Sequence, residues 1–205
     1  MAVIAVVPVG SLEGAKSRLG DRLDPEERRD LVLSMVHRTV AAAVATPGID
    51  ETIVVTPDAD VRDIALESGA RPIRQRSQGL NLGLREAREE ATAAGAEALL
   101  VLPIDLPLVT PVAIATLLEP LADPARPLVA LVPDRHRRGT NALLTAPADA
   151  IDFAFGGDSR AAHADAAARA GARYVELDGP LTLDLDTPED LLRFDELAPG
   201  ALDAG

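Results

Sequence analysis

The sequence predicts an α/β fold in which a mostly parallel sheet is covered by helices on both faces. Three observations predict it. Short β-branched runs alternate with longer Ala/Leu/Arg/Glu segments of helical period. Most of the runs are apolar at nearly every position, as strands buried on both faces must be. The helical segments begin with caps of recognisable chemistry.

In chain order, strands are predicted at residues 2–9, 52–56, 98–102, 128–132, 141–144, 173–177 and 182–185. The first helix starts at Asp24-Pro25-Glu26-Glu27, where an N-cap, a first-turn proline and an acidic third position precede Leu31, Leu33 and Val36. Further helices are predicted at 59–67, 81–94, 111–118 and 159–170. Thr187-Pro188-Glu189-Asp190 opens a last one carrying Leu191, Leu192 and Phe194. No internal repeat or Pro/Gly/Ser linker divides the chain, so residues 1–197 are expected to form one domain and 198–205 a frayed tail.

Composition narrows the function. The 205 residues carry 20 Lys+Arg against 33 Asp+Glu, a net charge of −13. General binding to nucleic acid or to an anionic membrane needs clustered cations, so neither partner is expected. Aromatic residues make up 2% of the chain, which leaves no platform for stacked bases. The absence of cysteine excludes disulfides, thiolate metal centres and a Cys nucleophile. With no cationic segment ahead of the apolar start MAVIAVVPVG, a cytoplasmic chain is expected. His37, His136 and His163 are scattered, without the paired spacing of a zinc site, and each reads as structural or surface.

Open sheets of this type bind ligands in the loops beyond the carboxyl ends of their strands. The loop from Gly10 to Gly20 holds Gly14, Lys16 and Arg18, and Lys16 is the only lysine in the chain. Glycines let backbone approach a ligand, and an ammonium neutralises phosphate oxygens; a solvated loop lysine is the plain alternative. The segment is one residue from a Walker A motif, with Ala15 where the second glycine belongs. Gly20 and Pro25 break the helix that a P-loop would run into.

Asp105 lies between Pro103 and Pro107 at the end of a buried strand, which suits a Mg²⁺ ligand or an Asp in a tight turn. Asp184 and Asp186 are spaced to share one face of an extended segment, with Leu183 and Leu185 on the other. Thr187 supplies the following cap, so at least one of these carboxylates is free for metal or phosphate chemistry.

Arg135-His136-Arg137-Arg138 concentrates positive charge, either as an anion site or as a solvated loop. It leads to Thr140 and Asn141 at the head of an apolar strand. Phe155-Gly156-Gly157-Asp158-Ser159 opens a helix whose first amides can bind an anion, with Asp158 or Ser159 as its N-cap. Arg71, Arg74 and Arg76, followed by Gly79-Leu80-Asn81, stand at the head of another helix, where they line a nucleotide base or cap the helix.

Taken in order, VPVGSLEGAKSRLG, VVTPD, GLNLGL, LPIDLPLV, RRGTNALL, FGGDS and LDLDTPEDL resemble one family from Val3 to about Leu192. It is the guanylyltransferases that activate 2-phospho-L-lactate or phosphoenolpyruvate in biosynthesis of the deazaflavin coenzyme F-420. The resemblance implies a Rossmann-like nucleotidyltransferase fold, a three-layer α/β/α arrangement around a mixed, mostly parallel sheet. It also implies transfer of GMP from GTP to the phosphoacid, with release of pyrophosphate. On the family pattern Thr140, Gly156 and Ser159 hold the phosphoacid, and Asp105 ligates Mg²⁺ together with Asp184 or Asp186. Arg137 and Arg138 are expected beside the phosphoacid, and Gly14, Lys16, Arg18, Gly79 and Asn81 beside the nucleotide. Lys16 and Asp105 are the residues expected to carry catalysis.

The chemistry fits without a nucleophilic or basic side chain. A phosphate monoester has a second pKa of about 6, so at neutral pH it attacks the α-phosphorus of GTP as it stands. Positioning and charge neutralisation then suffice. The alternatives are a nucleotidyltransferase of molybdenum-cofactor or sugar-phosphate type, and a P-loop-like NTPase or silent nucleotide-binding regulator. A homodimer is as compatible with the sequence as a monomer.

Overall fold

The computed structural model describes residues 1–13 and 15–197. Gly14 and the tail expected at 198–205 lie outside the described residues. The strands are β1 (Val3–Pro8), β2 (Glu51–Thr56), β3 (Arg71–Arg74), β4 (Ala98–Val101), β5 (Leu128–Pro133), β6 (Thr140–Ala146) and β7 (Arg173–Glu176). The helices are α1 (Pro25–Val44), α2 (Ala59–Glu67), α3 (Leu80–Ala93), α4 (Pro111–Leu118), α5 (Ser159–Arg169) and α6 (Pro188–Leu197). The seven strands form one sheet in the order β3-β2-β1-β4-β6-β5-β7. Every pairing is parallel except those of β6, which runs against both β4 and β5.

Alternation along β1 sorts the helices into layers. Val3, Ala5 and Val7 pack with Val36 and Val40 of α1, Val61 of α2 and Ile114 of α4. Ile4 and Val6 face the other way, with Leu84 and Ala87 of α3 and Ala167 of α5. The result is the three-layer α/β/α arrangement. α1 begins as its sequence indicates: Asp24 accepts from the amides of Glu26 and Glu27, and Glu27 accepts from the Asp24 amide at 2.8 Å. Losing such a capping side chain costs about 1 kcal/mol.

Two expectations are corrected. Arg71–Arg74 is a strand, whereas the sequence reading gave it no strand; four residues with an arginine at each end lack the apolar run of an inner strand and suit the sheet edge. Residues 182–185 are not a strand. Pro180–Thr182 is a 3-10 turn, and the chain after it is extended but outside the sheet. Leu183 and Leu185 are buried with Met35 of α1 and Phe194 of α6. The alternation was real, but it reflects packing against helices and not strand pairing.

The reversal of β6 positions the site. β6 pairs Leu143 with Val101 and Thr145 with Leu99, so its first residue, Thr140, lies beyond the carboxyl end of β4. β1 and β4 are parallel and end at that same edge. The loops after two strands and the head of a third are thereby brought together.

Candidate functional site

After β1 the chain turns back through a bond from the Ala15 amide to the Leu12 carbonyl. Lys16 adopts a left-handed conformation, φ 50° and ψ 38°, and a 3-10 turn over Ser17–Leu19 follows, anchored by fully buried Leu19. The turn ends at Gly20 and α1 starts independently at its own cap, so the segment does not run into a helix as a P-loop does. The Lys16 side chain is only 11% exposed. Its Nζ donates to Asp186 Oδ1 at 2.6 Å and to Asp105 Oδ2 at 3.3 Å.

Burial works against the ammonium charge, but Asp105 and Asp186 outweigh it and hold the Lys16 pKa above its ordinary value. Lys16 is therefore a fixed cation. Asp184 shares the face of Asp186; burial, then the charges of Asp105 and Asp186, push its carboxyl up to about 6. Two carboxylates thus hold one ammonium, with Asp184 close enough to feel their charge. Arg18 contributes only a loose contact, with Nη1 3.9 Å from Asp186 Oδ2 and a side chain 75% exposed.

Asp186 is held by a residue that sequence reasoning passed over. Buried Asp190, in the first turn of α6, accepts from the amides of Asp186 at 3.1 Å and Thr187 at 2.7 Å, and from the Thr187 hydroxyl at 2.8 Å. Its other oxygen lies 2.7 Å from Arg135 Nη2. The Thr-x-x-Asp spacing of a capping box was the available signal. Arg135 is therefore a strut between the β5–β6 loop and the aspartate loop. Asn141 adds a second tie, donating to the Leu181 carbonyl at 3.0 Å.

Where the phosphoacid is expected, the arginines arrive paired. Arg137, itself left-handed at φ 55°, reaches Glu176 at 2.7 Å and Asp178 at 3.1 Å. Arg138 reaches Asp158 at 2.9 Å, and both of those side chains are exposed. Gly156 needs its glycine, with φ 137°, and neither Gly156 nor Gly157 would find an atom within 4 Å of an added Cβ. The open amides are not the ones expected. Ser159 N bonds to the Gly156 carbonyl and Arg160 N to the Arg138 carbonyl, whereas Gly157 N and Asp158 N have no partner among the described residues. Thr140, Asn141 and Ser159 are buried.

Where the nucleotide is expected, residues 75–79 form one wall of a cleft of about 420 Å³ whose other wall includes Pro8, Gly10, Ser11 and Pro57. The wall is pinned from within. Gln75 Nε2 donates to the Ser77 and Gly79 carbonyls, and Glu86 of α3 accepts from the amides of Arg76 and Ser77. Gly79 has φ 94°. Asn81 has both amide atoms committed to the Phe155 backbone, at 2.9 Å each, so it joins this wall to the glycine loop. Gln75, Glu86 and Phe155 were not singled out as site residues from sequence; their roles depend on contacts made across the fold.

Among the described residues no three His, Cys, Asp or Glu side chains are gathered as a closed metal cage. An all-oxygen set of one or two carboxylates short of positive charge is nevertheless what ions of the Mg²⁺ kind share with phosphate and water, so these residues fit such an ion. Among the described residues no helix is long and apolar enough to cross a membrane.

A family described as "Guanylyl transferase CofC like" matches residues 3–195. A protein of Rubrobacter xylanophilus named phosphoenolpyruvate guanylyltransferase is 46% identical over 196 residues, covering 95% of this chain and 94% of that one. Its namesake in Sphaerobacter thermophilus is 44% identical over 201 residues, covering 97% and 95%. Among solved structures, a putative nucleotide-diphospho-sugar transferase from Desulfovibrio desulfuricans superposes with a TM-score of 0.75 at 17% identity, covering 98% of this chain and 90% of that one. A nucleotidyl transferase from Methanothermobacter gives a TM-score of 0.66 at 20% identity, covering 100% and 99%. These two share the fold.

Proposed function

We propose, starting from the fact that this chain belongs to the CofC-like guanylyl transferase family, that its acceptor is phosphoenolpyruvate and that it transfers GMP to it from GTP with release of pyrophosphate. The observation that carries the site assignment is Lys16, buried between Asp105 and Asp186 at the edge where β1, β4 and β6 meet. The names of the two relatives favour phosphoenolpyruvate over 2-phospho-L-lactate as the acceptor.

In this reading the guanine and ribose occupy the cleft walled by residues 75–79, with Gly79 giving the backbone room and Asn81 keeping that wall against the glycine loop. The triphosphate runs toward Lys16 and Arg18. The phosphoacid sits between Thr140, Ser159 and the Gly156-Gly157 turn, and Arg138 exchanges Asp158 for it; Arg137 stays with Glu176 and Asp178 and shapes the loop. A phosphate oxygen of the acceptor attacks the α-phosphorus of GTP, forming the new P–O–P bond while the bond to the β-phosphate oxygen breaks. Lys16 keeps its proton throughout and offsets charge building on the departing pyrophosphate. Asp105 and Asp186, with Asp184 beside them, are the residues that would hold a divalent ion, Mg²⁺ in this reading, whose chemistry when bound is to polarise phosphoryl oxygens and neutralise their charge.

The test is pyrophosphate release by the protein with GTP and Mg²⁺ and either phosphoacid. Turnover with phosphoenolpyruvate well above that with 2-phospho-L-lactate is expected. The reverse preference would reassign the acceptor, and no release with either would end the proposal.

A further inference from the structure

Of the buried polar groups outside the charged cluster, His163 is the most completely engaged. It lies on the third position after the Ser159-Arg160 start of α5, fully buried, and the sequence marked it only as structural or surface. Its Nε2 is 3.1 Å from the Ala154 amide nitrogen, and its Nδ1 is 3.0 Å from Thr140 Oγ1. The Phe155 ring meets the imidazole edge-on, with centroids 5.0 Å apart. One residue thus touches the glycine-loop approach and the head of β6 together.

The donors determine the tautomer. A backbone amide can only donate, so Nε2 must present its lone pair to Ala154. Burial holds the imidazole neutral, with its pKa lowered to about 4, so its single proton sits on Nδ1. That N–H donates to Thr140 Oγ1, and the hydroxyl, with no other partner among the described residues, keeps its own proton available.

We propose that His163 is a positioning residue: by occupying the Thr140 oxygen as an acceptor, it reserves the threonine proton for a phosphate or carboxylate oxygen of the phosphoacid. The inference rests on the reading of Thr140 as a phosphoacid contact. An acceptor-only ligand is what a hydroxyl fixed in this way selects, because an anion offers lone pairs and no proton.

Two measurements on the full chain test it. Long-range ¹H–¹⁵N spectra, with the His163 signals assigned by their loss in His163→Gln, should show the proton on Nδ1; a proton on Nε2 would overturn the proposal without any variant needing activity. Kinetically, Gln can still accept from Ala154 but cannot donate to Thr140, whereas His163→Asn keeps a donor near the Nδ1 position. His163→Gln should raise the phosphoacid KM by about 10- to 100-fold, the worth of one hydrogen bond to a charged group, and leave the GTP KM within about twofold. His163→Asn should recover most of that loss. Thr140→Val should cost about as much as His163→Gln, and the double variant no more than either. Multiplied losses, or an equal rise in the GTP KM, would overturn it. If the unaltered protein releases no pyrophosphate with any phosphoacid, the functional reading has failed whatever the tautomer; if it turns over and the tautomer is Nε2–H, only the inference has failed.

Discussion

Replacing Lys16 by Met removes the buried cation that Asp105 and Asp186 share while keeping the side-chain volume similar. At an effective dielectric of about 20, attraction to Asp186 at 2.6 Å amounts to about 6 kcal/mol and to Asp105 at 3.3 Å about 5 kcal/mol. Most of that gross energy is offset by desolvation of an ammonium only 11% exposed. The carboxylates left behind keep contact with water, at 28% and 40% exposure. We therefore expect a net loss of about 1–3 kcal/mol of stability, below the ~3–5 kcal/mol of a fully buried pair broken on one side. Turnover should fall further, by about 10²- to 10³-fold, the usual consequence of losing a preorganised charge aimed at a transition state. The assay is the initial rate of pyrophosphate release with GTP, phosphoenolpyruvate and Mg²⁺, read beside urea unfolding with and without Mg²⁺. Without Lys16 the carboxylates repel one another more, so added Mg²⁺ should stabilise the variant more than the parent. A folded variant that turns over within tenfold of the parent refutes the role of Lys16, and equal Mg²⁺ stabilisation of both proteins refutes the account of the carboxylates.

Asp184→Asn removes a carboxyl held up to about 6 by burial and by Asp105 and Asp186. Because its folded pKa is above the unfolded one, stability is lost as pH rises from about 4 to about 6 and the full penalty remains above that; allowing for solvent screening, the amide should raise unfolding free energy at pH 8 by about 1 kcal/mol while turnover falls. His163 has the opposite linkage: with a folded pKa of about 4 and an unfolded one of 6.5, the unfolded chain takes up the proton first. Stability is full above pH 6.5 and falls as pH drops toward 4, by about 3 kcal/mol in total, and urea midpoints of His163→Gln should lack that component. Gly83→Ala would bring a methyl to 2.7 Å from the Gln75 amide carbon, which two hydrogen bonds hold in place. The shifted wall should raise the GTP KM about tenfold and leave the phosphoacid KM within about twofold, as overpacking of about 1.4 kcal/mol confined to one subsite would do.

What could be read from the chain was whatever is local. The capping box at Asp24, the apolar run of β1 and the alternation from Leu183 to Asp186 are decided by neighbours a few positions away, and they appear as expected, except that the alternating stretch lies outside the sheet. Lys16, Asp105 and Asp186 were each picked out by residue type and loop. Their meeting could not be deduced by spacing, since Lys16 is 89 residues from Asp105 and 170 from Asp186. β3 escaped because it is held by pairing with β2 and packing against α2, while its own side chains are half-buried or exposed and form no apolar run. His163 and Asp190 look like ordinary helix residues until burial removes water as their partner. For Arg137 and Arg138, a charge count indicates how many cations a loop has but not that Glu176, Asp178 and Asp158 are already beside them.

The reversed strand β6 divides responsibility along the chain. On the proposed function, recognition of the nucleotide would fall to the parallel half up to β4, and discrimination among acceptors to a hairpin and helix that follow it. A stretch from the β5–β6 turn through the first turns of α5 could therefore diverge among relatives, or be transplanted between them, to alter which acid is activated while the triphosphate chemistry is inherited unchanged.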